Sequence, residues 1–68
     1  MNLDVELEQE TDGRWIAEVP DLPGVLAYGD SRETALAHAQ ALALRVLAER
    51  LDHGETAPQS FSVSFRAA

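Results

Sequence analysis

The chain has 68 residues, with twelve acids against five arginines, no lysine and no cysteine, and a formal net charge of −7. A domain this small buries a modest core and often relies on staples or self-association. Disulfides and thiolate metal sites are excluded outright, and the lack of a basic stripe argues against nucleic acid as a direct partner. An acidic surface suits a basic partner, although acidity also simply keeps a small protein soluble. No run approaches the roughly 18 apolar residues of a membrane span. Met1-Asn2-Leu3-Asp4 has neither the basic region nor the apolar core of a signal peptide, so a cytoplasmic protein is expected.

From Leu3 to Gln9 the residues alternate strictly, with Leu3, Val5 and Leu7 on one side and Asp4, Glu6 and Glu8 on the other. A period of two predicts a strand with one buried and one wet, acidic face. Trp15, Ala17 and Val19 are in phase over a second strand, Trp15 to Val19. The connection between them is decided by the side chains. A two-residue Asp12-Gly13 turn would set Leu7 opposite Glu18 and Val5 opposite Pro20, placing a carboxylate on the apolar face. A three-residue loop of Thr11, Asp12 and a left-handed Gly13 pairs Glu10 with Arg14, Leu7 with Ala17 and Val5 with Val19. The longer loop is expected.

Val19-Pro20-Asp21-Leu22-Pro23-Gly24 is the corner around which the chain is organised. Its prolines cannot donate to a ladder and push Val19 and Leu22 towards extended backbone, which excludes helix. Gly24 supplies the freedom to turn back. Val25 to Tyr28 reads as a short third strand, and Gly29-Asp30-Ser31 starts a helix with Ser31 or Asp30 as its cap and a possible capping box from Asp30 to Glu33.

The helix is predicted over Arg32 to His53, ended by Gly54. It is more apolar than a one-sided surface helix. Ala35, Leu36, Ala39, Leu42, Ala43, Val46 and Leu47 form one broad stripe, and Ala37, Ala41, Leu44, Ala48 and Leu51 a second band. The polar arc of Thr34, His38, Arg45, Glu49 and Asp52 is narrow. Exposed alanines favour helix at no cost, but Leu44 and Leu51 call for a cover, so self-association as a dimer or tetramer is expected, with Leu44, Ala48 and Leu51 as the interface. Glu55 to Ser60 reads as a linker, and Phe61, Val63 and Phe65 alternate with Ser62, Ser64 and Arg66 as a last strand.

The fold class is therefore α+β, in the order β-β-β-α-β, as a single domain over residues 1–68. If the last strand joins beside the first, a right-handed crossover gives a four-stranded sheet of order 3-2-1-4 with one helix on one face. The other face carries Asp4, Glu6, Glu8, Ile16, Glu18, Ser62 and Ser64 with nothing above it.

Chemistry is sparse. Asp4, Glu6 and Glu8 stand roughly 7 Å apart along one strand face, a spacing that would serve a divalent ion only with ligands from other strands, as in a metal-dependent nuclease. Alternation on a wet face explains them fully, and no metal or cofactor is expected. His38 and His53 are too far apart along the helix to share a metal and read as surface residues. Ser31 sits at a cap and lacks the glycine-flanked setting of a nucleophile elbow. Trp15 and Tyr28 are of the type that anchors partners, though Trp15 reads first as core. The expectation is a protein that is not an enzyme.

Trp15 to Asp30 resembles a signature of the HicB-like antitoxin family: an aromatic residue after an Asp-Gly turn, then Val19-Pro20-Asp21-Leu22-Pro23-Gly24, then Gly29-Asp30-Ser31. Ala35-Leu36-Ala37-His38-Ala39 and Leu51-Asp52-His53-Gly54-Glu55 are similar to the same family, so the likeness runs over about residues 3–61. The family usually has Cys after the corner glycine, where Val25 stands here. The resemblance implies a partial ribonuclease-H-like fold without nuclease catalysis, and neutralisation of a small basic toxin, HicA, that cleaves messenger RNA. Many members add a C-terminal DNA-binding domain. This sequence closes at Ala68, and direct DNA binding is not expected of it.

Two functions follow as expectations. The first is an antitoxin-type module that occludes a basic HicA-like toxin, with Asp4, Glu6, Glu8, Ile16 and Glu18 as the contact residues. Seven of the twelve acids precede Leu22, against one arginine. The second is an orphan homo-oligomeric scaffold or ligand-binding protein with no toxin partner.

Overall fold

A computed structural model describes residues 1–67. Strands β1 (Asn2–Gln9), β2 (Trp15–Glu18) and β3 (Leu26–Gly29) precede helix α1 (Arg32–Asp52), a 3-10 turn (Pro58–Ser60) and strand β4 (Ser64–Ala67). The sheet has the order β3-β2-β1-β4. β1 and β2 are antiparallel, β2 and β3 antiparallel, and β4 lies parallel to β1. The molecule is an α+β fold in which one helix covers one face of a four-stranded mixed sheet.

The hairpin adopts the longer loop. Leu7 stands opposite Ala17, and the Glu10 amide donates to the Arg14 carbonyl at 2.7 Å while the Gly13 amide returns to the Glu10 carbonyl. Gly13 sits at φ +92°, a conformation that a residue with a Cβ reaches only with strain. The Asp12 carboxylate accepts from the Arg14 amide at 3.1 Å and from the Arg14 side chain at 2.9 Å. The amide bond first, and the guanidinium bond second, hold the Asp12 carboxyl below its ordinary value.

The corner consists of two linked turns. The Leu22 amide donates to the Val19 carbonyl and the Val25 amide to the Leu22 carbonyl, while the Val19 amide closes onto the Val25 carbonyl. Proline precedes Gly24, which lies at φ +88°, the pairing a type II turn needs. Val19, Leu22 and Val25 are all buried, so the corner is part of the core. It meets Leu3, Val5 and Ala17 of the sheet and Ala35, Ala39, Ala43 and Leu47 of α1. Three alanines in that helix stripe let α1 lie close to the strands. At Gly29 the approach is closest: an added Cβ would come within 2.4 Å of the Ala35 backbone nitrogen.

Ser31 caps α1, its hydroxyl accepting from the Thr34 amide at 3.1 Å. Asp30 therefore does not cap, and the box to Glu33 is not formed, because Ser31 is the residue that reaches the third helical position. The helix ends at Asp52 with His53 as its C-cap, one residue short of the predicted end. There the Glu55 amide donates to the Arg50 carbonyl and the Gly54 amide to the Leu51 carbonyl, a Schellman closure. Ser31→Ala is expected to cost about 1 kcal/mol, lowering the melting temperature by about 4–8 °C in a domain of this size. A thermal melt of the variant superimposable on that of the parent would contradict this.

Three of the strand boundaries that differ from the periodicity have a visible cause. β2 stops at Glu18 and β3 starts at Leu26, because Val19 and Val25 spend their backbone groups on the corner. β4 begins only at Ser64. The 3-10 turn from Pro58 takes the Phe61 amide, so Phe61 and Val63 pack against the core from irregular backbone and Ser62 lies outside the ladder. Side-chain alternation persists through that stretch, while backbone pairing shrinks to one residue at the chain start, where the Met1 amino group donates to the Ser62 carbonyl at 2.8 Å and the Ser64 amide to the Met1 carbonyl at 2.9 Å.

Candidate functional site

The uncovered face of the sheet brings the predicted contact residues together. Asp4, Glu6, Glu8 and Glu18 are exposed on it, and Ile16 is half-buried between them. Register sets them in rows across the strands. Glu8 stands opposite Ile16, which stands opposite Tyr28. In the next row Glu6 opposes Glu18, which opposes Leu26. Asp4 opposes Arg66 of β4. The last strand thus adds Arg66, and the third adds Leu26 (39% exposed) and Tyr28 (43%). These three residues were missing from the sequence reading of this face. The signal was present: with Val25 buried, alternation alone turns Leu26 and Tyr28 outward.

The face is divided in charge. On the β4 side, Arg66 donates to the Asp4 carboxylate at 2.8 Å, a bond that raises the arginine's own already high value, and the Ser64 hydroxyl donates to the Asn2 side chain. That half pairs its own charge, so Asp4 has a counter-ion on the face it shares with Glu6 and Glu8. On the β2 side, Glu6, Glu8 and Glu18 have no ion pair or hydrogen bond from their side chains among the described residues. Arg14, the nearest cation in sequence, is turned to Asp12 and lies 4.9 Å from the centre of the Tyr28 ring. A shallow depression of about 200 Å³ is bounded by Glu6, Leu7, Glu8, Ile16 and Glu18.

The Glu6–Glu18 opposition is the informative feature. Directly opposed like charges on neighbouring strands have Cβ atoms about 5 Å apart and destabilise the pairing. The hydrophobic register of Leu3, Val5 and Leu7 forces this pairing, since a shift of one residue would put the acids in the core. The fold therefore sets two carboxylates side by side, with no counter-charge among the described residues, next to a small apolar patch of Ile16, Leu26 and Tyr28. A cation brought to this surface would supply that counter-charge.

A second depression, lined by Arg14, Tyr28, Gly29, Asp30, Thr34 and His38, is satisfied from within. The Nδ1 of His38 donates to the Tyr28 carbonyl at 2.9 Å, and the Thr34 hydroxyl bonds Ser31 at 2.8 Å. His53 sits apart, bonded through Nδ1 to the Glu49 carbonyl. Among the described residues, no three side chains of metal-ligating type gather in one place, and no helix is long and apolar enough to cross a membrane. The second band of α1 lies on the far side of the molecule from the open sheet face, with Leu44 and Ala48 exposed and Leu51 partly covered. Compared with known family models, curated proteins and solved structures, the chain matches none.

Proposed function

We propose that this protein is an antitoxin-type binding module, similar to HicB, that lays its open sheet face over a basic, RNA-cleaving partner of the HicA type and blocks it by occlusion. The observation that carries the proposal is the Glu6–Glu18 opposition, without a counter-charge among the described residues and flanked by Glu8 and Ile16. Carboxylates arrayed on one face without counter-charges favour a cationic partner and speed encounter with it. Ile16, Leu26 and Tyr28 supply the apolar centre that a purely charged face lacks. The Val19–Gly24 corner and the flanking motifs add the family resemblance, and the 3-2-1-4 sheet under one helix supports reading the fold as partially ribonuclease-H-like.

On this reading the chain binds without catalysis, needs no cofactor, does not contact DNA directly, and works in the cytoplasm where the partner's messenger RNA substrate is found. The test is to mix the purified protein with a purified HicA-like toxin and follow RNA cleavage. Stoichiometric loss of cleavage, with co-migration on a sizing column, is the expected result. Undiminished cleavage with no complex would refute the proposal.

A further inference from the structure

The outer side of α1 has what the rest of the surface lacks. Ala37, Ala41, Leu44, Ala48 and Leu51 succeed one another at steps of four, three, four and three, the heptad interval at which helices seat against one another. At roughly 100° per residue they fall in a single band nearly opposite the sheet-facing Ala35, Ala39, Ala43 and Leu47. Leu44, in mid-helix, is 50% exposed and is the most exposed large apolar residue among those described.

Charge selects what covers it. Between Arg32 and Asp52 the helix carries three arginines and three acids, so the whole net charge of −7 lies outside it. Two copies meeting by their sheets or hairpins would bring carboxylates against carboxylates. Along α1 the meeting surfaces carry no net charge of their own, which makes this the side of least repulsion. A basic partner, by contrast, has no charge to seek on this neutral side.

We infer that the band is the contact with a second copy of this chain. The two α1 helices run antiparallel about a two-fold axis, and each Leu44 is seated against Ala41 and Ala48 of the second copy. The alanines let the helices come close and leave shallow holes for the leucines. Antiparallel packing sets the helix dipoles in opposition, and the two-fold axis uses one patch twice. The assembly presents two open sheet faces outward, so this inference stands independently of the partner proposed above.

Sedimentation velocity of the full chain over about 1 to 100 μM reads the mass directly. A concentration-dependent doubling is expected, strengthened by added salt because screening relieves the repulsion between like-charged copies. Leu44→Glu is expected to stay monomeric across the range with an unchanged circular dichroism spectrum. Should that variant unfold, Ala48→Lys, at an exposed position, is the deciding substitution and is likewise expected to be monomeric. Glu6→Lys, on the other face, is expected to leave the dimer intact. A parent protein that is monomeric at the highest concentration, or a dimer that survives a folded Leu44→Glu or Ala48→Lys variant, overturns the inference.

Discussion

Glu18→Lys is expected to raise the melting temperature and at the same time weaken the hold on a basic partner. The substitution turns the Glu6–Glu18 opposition into an attractive cross-strand pair. Removing the repulsion and adding the attraction together stabilise the sheet by about 1 kcal/mol, or several degrees in a domain of this length. The same change replaces a carboxylate at the centre of the proposed contact by an ammonium group. Affinity for a cationic toxin then falls by about tenfold or more, largely through slower association. Most surface charge changes move stability by less than about 0.5 kcal/mol, so opposite signs on the two measurements form a distinctive outcome. The double variant Glu6→Lys/Glu18→Lys restores a like-charge pair of the other sign. Its melting point should return to that of the parent while inhibition of RNA cleavage is lost further, which isolates the pair term from the net charge. Calorimetric melts beside toxin titrations provide both readings. A lower melting temperature for Glu18→Lys would mean that the opposed carboxylates do not repel in the folded chain. Unchanged inhibition would mean that the partner touches another surface.

Gly29→Ala is expected to be the most damaging small substitution in the protein. Replacing glycine by alanine ordinarily stabilises by about 0.4–1 kcal/mol, because the unfolded chain loses freedom. Gly29 does not have the positive φ of Gly13 and Gly24, so its backbone is one that alanine tolerates. The sign is reversed by space alone. The added Cβ would stand 2.4 Å from the Ala35 nitrogen, 2.8 Å from the Thr34 carbonyl carbon and 2.9 Å from the Ala35 Cα. All three are backbone atoms of the first turn of α1, and Ala35 is fully buried, so no side chain can swing aside. The helix start must lift from β3, straining the His38–Tyr28 hydrogen bond that ties the same two elements. Overpacking of this kind costs about 3 kcal/mol, a large share of the roughly 5 kcal/mol at the low end for natural domains. Denaturant unfolding should show the midpoint displaced far to lower concentration, with a population of unfolded chain in buffer. A midpoint within error of the parent's would show that α1 sits less tightly on β3 than the geometry places it.

The difference between these two sites in legibility has a physical cause. Glu6 and Glu18 were both readable from the sequence, because strict alternation from Leu3 to Gln9 and a side-chain argument about the hairpin loop fixed which residue faces which. Leu26 and Tyr28 were within reach of the same alternation, but only if the register was carried across the corner, where three backbone hydrogen bonds absorb Val19, Leu22 and Val25. Alternation put Arg66 with Ser62 and Ser64 on the polar side of its strand, although the reading of the open face left it out. Its pairing with Asp4, which divides the open face into a satisfied half and an unsatisfied half, needed the stagger of two strands separated by most of the chain. The late start of β4 has a similar origin, since Phe61 and Val63 keep an apolar rhythm while the 3-10 turn diverts their backbone.

Local patterns by themselves determined the order of elements, the hairpin register, the rigid corner, the helix cap region and its two apolar bands, because each depends on neighbours a few residues away. Tertiary structure alone decided which carboxylates find a counter-charge and how closely Gly29 meets the first turn of α1. Those outcomes depend on distances between segments far apart in the chain. Such distances arise only when the sheet has closed, with β4 laid beside β1 and the alanine face of α1 drawn down onto β3 and β2.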